Sequence, residues 1–388
     1  MSNLIDYLHW RGDLNFSVSP FNELDAAIFA MLSYVNMAGV VPGLDSKSRI
    51  LISDAMKGIL ANYYPGAEKP NENADIVASF NEKFSSDLEE AFRLVASSPR
   101  YAGIYLSGFE KHTDFAEGQQ FAALTFTLPG LRPTQVVAFR GTDNTFVGWK
   151  EDFGLAYMEQ LPAQESALNY LTQSLKKLPG PFIVCGHSKG GNLAVYASSH
   201  LGTRDRERIT RIINFDGPGF DFKLNDKAPF ELCQDKIVNF VPEESTIGML
   251  LNPVGERQVV SSLSHSVRQH NVFLWNVERT GFTPAELADS SKMLDTILDT
   301  WVDELSLEER KKFFEAIFDM LGDVDETVIP KDPLNNLTYI TNTLVKYNQL
   351  DKETKSLINL VFGALTNQTR ETLTTAIQQR IPGRKKAS

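Results

Sequence analysis

The fold of this 388-residue chain is inferred first from the run Pro181-Phe-Ile-Val-Cys-Gly-His-Ser-Lys-Gly-Gly-Asn-Leu-Ala-Val-Tyr-Ala197. The apolar run Phe182–Cys185 is short and contains β-branched residues, which predicts a buried strand. The next five residues, Gly186–Gly190, match the pattern G-x-S-x-G. The apolar positions that begin at Leu193 suit a helix packed on a sheet. The stretch therefore predicts a strand, a sharp turn and a helix.

The turn is predicted to be a nucleophile elbow centred on Ser188. In such an elbow, a strained turn between strand and helix lifts the serine hydroxyl clear of the sheet, and glycines avoid backbone clashes. The amide of Lys189 then heads the helix, where it can donate a hydrogen bond to a developing negative charge. The alternative is a tight turn in which Ser188 is a bystander, because G-x-S-x-G also occurs by chance.

The composition is that of a soluble globular protein, with 42% hydrophobic and 22% charged residues. A net charge of −11 argues against binding nucleic acid through a general basic surface. The two cysteines, Cys185 and Cys233, imply no disulfide framework. The N-terminus lacks the features of a signal peptide, and no window approaches about 18 uninterrupted apolar residues. We expect a cytoplasmic protein with no integral membrane segment.

Three regions are predicted along the chain. Residues 1–100 form an N-terminal helical region that packs on the core, and residues 101–282 form the α/β core. Residues 283–388 form a separate C-terminal helical domain that could serve as a lid. Capping boxes that begin at Thr283 and Ser306 predict two of its helices.

Individual elements follow from apolar spacing. Asn22 is predicted to cap a helix, and the spacing of Leu337, Ile340 and Leu344 predicts another one near the C-terminus. Strands and helices alternate in the core, which predicts an α/β fold with a mostly parallel sheet covered on both faces. Besides the strand that precedes Ser188, the predicted strands are Tyr101–Phe109, Phe121–Leu128, Gln135–Phe139, Ile209–Phe215, Lys236–Val241 and Gln258–Ser262.

A serine nucleophile needs a base to take its proton, and the base needs an orienting acceptor. Of the six histidines, only His265 and His270 follow the last core strands, as the order of residues in α/β-hydrolases requires. His270 is the preferred base, since it lies in a polar loop followed by the apolar anchor Trp275; His265 is the alternative.

The acid is predicted to be Glu244 or Glu243, because both follow the strand Lys236–Val241 at the edge of the sheet that carries Ser188. The alternative is that these two glutamates form an exposed loop pair. Asp216, which ends the strand directly after the elbow strand, is the second candidate for the acid.

The oxyanion hole is predicted to combine the amides of Thr142 and Lys189, with a further contribution from the Thr142 hydroxyl. Asp152 could hold the loop that contains Thr142. His187 and Asp143, the neighbours of Ser188 and Thr142, are predicted to contact the substrate.

With these residues in place, the chain resembles the class 3 lipases of the α/β-hydrolase fold over residues 100–278. The matching pieces are Val136–Thr142 with Trp149, the glycine-rich elbow, and His270 followed by Trp275. In that family the residue after Arg-Gly supplies an oxyanion donor, which implies this role for Thr142. Class 3 lipases carry an aspartate after the late strand, where this chain has Glu243 and Glu244.

The chain looks closer still to the bacterial Mbeg1-like proteins, a hydrolase-like group, and this likeness includes the N-terminal part. The segments that carry it are Arg11–Leu14, Pro20–Glu23, Phe139–Asp143 and Gln269–Asn271.

These observations predict a serine hydrolase that cleaves esters or thioesters of small molecules or lipids through an acyl-enzyme on Ser188. The reaction requires no metal and no organic cofactor. The competing hypothesis is a non-catalytic binding or scaffold protein on an α/β-hydrolase fold, suggested by the helical additions at both ends. The sequence leaves the substrate and the oligomeric state open.

Overall fold

The computed structural model describes residues 2–63, 82–114, 119–142, 151–292, 295–296, 305–321, 346–352, 354–356 and 358–359. The predicted helix around Leu337 and the residues Asp143 and Trp149 lie outside these ranges. Among the helices of the described residues, none has the length and apolarity needed to cross a membrane.

The core is an eight-stranded sheet whose strands follow one another in chain order. The first four strands are antiparallel, and the remaining strands add to the fourth in parallel. The predicted α/β-hydrolase fold with a mostly parallel sheet is therefore confirmed. The strands are β1 (Ile50–Leu51), β2 (Tyr105–Asp114), β3 (Gln119–Leu128), β4 (Thr134–Phe139), β5 (Phe182–His187), β6 (Ile209–Phe215), β7 (Ile237–Pro242) and β8 (Glu256–Val260); β9 (Val277–Glu278) and β10 (Gly281–Phe282) form a separate ribbon.

Helices cover both faces of the sheet. Because successive residues of a strand point to opposite faces, Val136 and Ala138 pack with the N-terminal helices, whereas Val137 and Phe139 pack with the helices Pro162–Lys177 and Lys189–Ser199. The helices are α1 (Leu4–Arg11), α2 (Glu23–Leu32), α3 (Ile52–Tyr63), α4 (Glu82–Ser97), α5 (Pro162–Lys177), α6 (Lys189–Ser199), α7 (Thr203–Arg206), α8 (Ala228–Glu231) and α9 (Leu307–Leu321).

A buried ion pair fixes the N-terminal segment. Arg100 donates to both carboxylate oxygens of Asp25, at 2.8 and 2.5 Å, and both side chains are fully buried. The same guanidinium donates to the carbonyl oxygens of Leu14 and Pro20, at 2.8 and 3.2 Å. The N-terminal motifs that carry the family resemblance therefore supply acceptors to Arg100.

Helix α2 is buried from Leu24 to Leu32 and contacts β5. As predicted, Asn22 caps it: the Asn22 side chain accepts hydrogen bonds from the amides of Leu24 and Asp25. The chain turns directly after α2, and this turn contains Tyr34, whose amide donates to the Met31 carbonyl at 3.1 Å. Packing of α2 on β5 thus brings Tyr34 close to His187, the last residue of β5.

The two predicted capping boxes have different outcomes. Ser306 precedes α9 and exchanges hydrogen bonds with Glu309, as predicted. The prediction of a helix that begins at Thr283 is wrong, because the chain after Thr283 pairs with the edge of the sheet. Pro284 forms an antiparallel bridge with Val260, and this edge pairing replaces the first turn of a helix.

Helix α9 docks beside the segment that follows residue 150. Arg310 donates to Asp221 at 2.6 Å and to the carbonyl of Ala156 at 3.0 Å, and both members of this ion pair are buried. The ring of Phe314 stacks on Phe153, with centroids 4.6 Å apart. The start of the C-terminal region is therefore packed against the core.

Candidate active site

The backbone around Ser188 has the geometry of a nucleophile elbow. Ser188 lies between the end of β5 and the start of α6 with φ 58° and ψ −134°. Its amide donates to the Phe215 carbonyl of the neighbouring strand at 2.9 Å, which helps to hold this strained conformation. A Cβ at Gly190 would lie 2.1 Å from the Phe139 carbonyl oxygen, so only glycine allows α6 to approach β4 this closely.

The loop after β4 crosses directly over the elbow. A Cβ at Gly141 would lie 2.8 Å from Ser188 Cβ and 2.3 Å from the Tyr34 hydroxyl. The absence of a side chain at Gly141 therefore lets the backbone of this loop pass close to Ser188. Helix α6 begins at Lys189, so the Lys189 amide is the first of the helix and has no partner in a preceding turn. The oxyanion role of the Thr142 and Lys189 amides stays a prediction.

A polar network of buried and partly buried side chains supports this loop. Thr142 Oγ1 donates to the Asp152 carboxylate at 2.6 Å to one oxygen and 2.5 Å to the other, which is the contact expected from the sequence. Lys189 Nζ lies 2.6 Å from Glu151 and 3.5 Å from Asp152. The side chain of Lys189 thus connects the segment that carries Asp152 to the helix that begins at the elbow.

Burial and ionic contacts act in opposite directions in this network. Burial raises the pKa of Asp152 to about 6, although the Lys189 ammonium and the Thr142 hydroxyl favour its charged form. Burial alone would lower the pKa of Lys189, but the carboxylates of Glu151 and Asp152 raise it above its ordinary value. Lys189 is therefore a buried cation.

His270 is oriented by Asp216. The Nδ1 atom of His270 lies 2.7 Å from Asp216 Oδ2, and Asp216 is 1% exposed. The other carboxylate oxygen of Asp216 accepts from the Ser245 hydroxyl at 2.5 Å and from the Gly248 amide at 3.2 Å. Since Asp216 follows β6 and Ser188 follows the adjacent strand β5, both residues lie at one edge of the sheet.

The expectation that Glu243 or Glu244 orients His270 differs from the structure. Glu243 Oε1 accepts from the amide of Ser262 at 3.4 Å, and Glu244 Oε2 accepts from the amide of Ser266. Both carboxylates are occupied by backbone of the loop before His270, because that loop folds back over the end of β7. Asp216, the second candidate, takes the place beside the imidazole.

Several contacts fix the loop that carries His270. The side chain of Gln269 is fully buried; it accepts from the Glu244 amide and donates to the Ser264 carbonyl, each at 2.8 Å. The indole of Trp275 donates to the Gln269 carbonyl at 2.6 Å. Trp275 is therefore an apolar anchor for the His270 loop, as the sequence suggested.

His265, the alternative base, is not placed to take a proton from Ser188. Its side chain is 88% exposed and lies 3.6 Å from Glu244.

Ser188 and His270 share this edge but are not joined directly. Among the residues that the structure describes, no hydrogen bond links Ser188 Oγ to His270. Ser188 is half-buried and the side chain of His270 is 27% exposed, so both are open to a ligand. Hydrogen bonds between nucleophile and base are often long before substrate binds.

His187 does not face the substrate side, contrary to the prediction. It is 3% exposed, and each ring nitrogen contacts a protein atom. Nδ1 lies 2.9 Å from the Tyr34 hydroxyl, and Nε2 lies 2.8 Å from the His270 carbonyl oxygen. Sequence reasoning missed Tyr34, since nothing in the local pattern of a helix end indicates a contact 153 residues away.

Metal-ligating side chains are not clustered in the described part of the chain: no group of three His, Cys, Asp or Glu residues there has the arrangement of a metal site. Cys185 is fully buried in β5, and burial raises the pKa of its thiol, as expected for a residue that packs as a small apolar side chain.

The mostly parallel sheet and the turn at Ser188 between β5 and α6 define an α/β protein of the α/β-hydrolase class. The family model for Mbeg1-like proteins matches residues 95–319, and the chain belongs to this Mbeg1-like family, which confirms the resemblance stated above.

Among solved structures, the chain is similar to one described as the crystal structure of M37 lipase. The two chains share 16% sequence identity, the similarity covers 58% of this chain and 68% of that chain, and the TM-score is 0.32. At this level of similarity, no function transfers from that lipase. A search of curated proteins found no match.

Proposed function

We propose that this protein is a serine hydrolase that cleaves ester or thioester bonds through an acyl-enzyme on Ser188. The observation that carries the proposal is the 2.7 Å contact between His270 Nδ1 and Asp216, made at the edge of the sheet where Ser188 stands on its strained turn. A nucleophile, a base and an orienting carboxylate are the parts that acyl transfer needs.

Asp216 fixes the tautomer of the base. A carboxylate accepts hydrogen bonds, so Nδ1 of His270 carries the proton and Nε2 is left with the lone pair. When Ser188 Oγ attacks the carbonyl carbon, His270 Nε2 takes the serine proton. The imidazolium then protonates the departing alcohol or thiol, which leaves the acyl group on Ser188. Water attacks the carbonyl carbon of the acyl-enzyme and gives a proton to His270. When the bond to Ser188 Oγ breaks and the acid is released, the imidazolium returns this proton to Ser188 Oγ.

The negative charge of each tetrahedral intermediate falls between the elbow and the loop after β4. In this proposal the amides of Lys189 and Thr142 donate to it, and each such donor is typically worth about 3 kcal/mol of barrier. The Thr142 hydroxyl is directed at Asp152, which supports a role for the hydroxyl in holding the loop rather than in contacting the oxyanion.

The substrate is proposed to be a small-molecule or lipid ester or thioester. The lid role of the C-terminal region stays a prediction; its support is that α9 packs on Phe153, the residue next to Asp152.

A panel of p-nitrophenyl esters of increasing chain length tests the proposal, with Ser188→Ala and His270→Ala as paired variants. We expect hydrolysis by the wild type and its loss in both variants. Hydrolysis that persists in Ser188→Ala would contradict the proposal, and absence of hydrolysis in the wild type over the whole panel would favour a binding protein.

A further inference from the structure

The residue before the nucleophile is linked to the backbone of the base. His187 contacts the His270 carbonyl oxygen through Nε2 at 2.8 Å and the Tyr34 hydroxyl through Nδ1 at 2.9 Å. The rings of His187 and His270 lie close together, with centroids 4.5 Å apart. A continuous chain of contacts therefore runs from Tyr34 through His187 to the main chain of His270.

Donor and acceptor chemistry fixes every proton in this chain of contacts. A carbonyl oxygen only accepts, so His187 Nε2 must carry the hydrogen that it shares with His270. In the neutral ring Nδ1 is then an acceptor, and the hydroxyl of Tyr34 donates to it. Both nitrogens of His187 are used, and neither is free to serve as base or to bind substrate.

We propose that His187 and Tyr34 are positioning residues that set the location of the His270 imidazole through its carbonyl group. This inference rests on the proposed hydrolase function. Asp216 sets the orientation of the His270 imidazole, whereas His187 sets the position of the His270 backbone relative to Ser188. Ser188 directly follows His187 in the sequence. The contact between His187 and the His270 carbonyl is possible because His187 ends β5. The neighbouring strand β6 is followed by Asp216, which binds the His270 imidazole.

The surroundings of His187 keep it neutral. Burial lowers its pKa well below the ordinary value, and the nearby His270 ring acts in the same direction, while the bond to the His270 carbonyl opposes them. A neutral ring keeps Nδ1 as an acceptor for Tyr34, so the contacts persist when the pH falls.

Tyr34 also touches the oxyanion side of the site. Its hydroxyl approaches Gly141 so closely that a Cβ there would lie 2.3 Å away. The N-terminal segment thus contacts both the loop before Thr142 and, through His187, the loop of His270. Tyr34 lies outside the residues matched by the family model, which begin at residue 95.

Nitrogen-15 NMR of the full chain with labelled histidines tests the tautomer. We expect one of the six imidazoles to remain neutral with Nε2–H from pH 5 to pH 8 and to be the signal missing in His187→Gln. A charged ring or an Nδ1–H tautomer at His187 would overturn the proposal. This result does not depend on hydrolysis.

The deshielded Nδ1 proton that His270 shares with Asp216 reports the position of the base. The signal of this proton should shift or broaden in His187→Leu and in Tyr34→Phe. In His187→Gln it should keep its wild-type position, because the glutamine amide can both donate to the His270 carbonyl and accept from Tyr34. The matched control is His200→Gln at the end of α6. An unchanged proton signal in folded His187→Leu would contradict the proposal.

Kinetics supply the second readout. His187→Leu should lower kcat about tenfold or more with little change in KM, because a small displacement of the base slows chemistry without removing substrate contacts. Tyr34→Phe should lower kcat more in the wild type than in His187→Leu, where only the contact of the Tyr34 hydroxyl with the Gly141 loop is left to lose. Additive effects would contradict the proposal; hydrolysis that survives in Ser188→Ala would instead remove the proposed function.

Discussion

Asp216 Oδ2 lies 2.7 Å from His270 Nδ1, although 54 residues separate the two in the chain. The contact forms because Asp216 follows β6, the strand beside the elbow strand, and the His270 loop folds back over the end of the sheet. Ser245 and Gly248 donate to the second carboxylate oxygen, so Asp216 is held by groups on both sides. In the proposed mechanism this aspartate is the orienting acid.

Asp216→Asn should lower kcat by about 10³–10⁴-fold, because an amide in this position can stabilise the tautomer with the proton on Nε2, which leaves no base for Ser188. Ester hydrolysis by the purified variant checks this. The matched variant is Glu244→Gln, which should lose less than about tenfold. A larger loss in Glu244→Gln than in Asp216→Asn would return the acid role to Glu244.

Glu244→Ala should destabilise the fold by about 0.5–1.5 kcal/mol, since it removes the acceptor of the Ser266 amide in the loop that carries His270. Denaturant unfolding measures the change, with the exposed Glu278→Ala as control. We expect a lower kcat with an unchanged pH profile. Wild-type stability in Glu244→Ala would show that the loop does not depend on this carboxylate.

Asp152→Asn should change how stability depends on pH. The pKa of Asp152 is raised to about 6 in the folded state from 3.8, so the native state holds a proton that the unfolded state releases. The wild type should therefore lose up to about 3 kcal/mol relative to Asp152→Asn as pH rises from 4 to 7. Parallel stability curves for the two proteins would rule out a perturbed Asp152.

Arg310→Leu should destabilise the protein by about 3–5 kcal/mol, because it leaves Asp221 buried without its cation. The double variant Arg310→Leu with Asp221→Leu should recover much of the loss. Denaturant unfolding of the full chain provides the measurement. Equal stability of Arg310→Leu and the wild type would mean that α9 does not depend on this pair.

Local patterns were sufficient to predict the elbow at Ser188 and most strands of the core, although β1 was not predicted and β2 begins at Tyr105 rather than Tyr101. The strand Ile209–Phe215 has the predicted bounds, because a short β-branched run between turn residues has few alternative structures. The Asn22 and Ser306 caps were predictable for the same reason, since a cap is satisfied by residues within one turn of the helix.

Long-range choices were not predictable from local patterns. Asp216 and the Glu243–Glu244 pair both follow core strands, and only the path of the loop before His270 decides which carboxylate meets the imidazole. The contact between Tyr34 and His187 depends on the packing of α2 on β5. At Thr283, pairing of the chain with β8 replaces a helix that the capping pattern favoured.

A fluorophosphonate probe followed by intact-mass and peptide mass spectrometry tests the central claim most directly. The wild type should gain one adduct, located on Ser188, at a rate that falls sharply in His270→Ala, and Ser188→Ala should gain none. Equal labelling of the wild type and Ser188→Ala, or an adduct located on another residue, would contradict the assignment of Ser188 as the nucleophile.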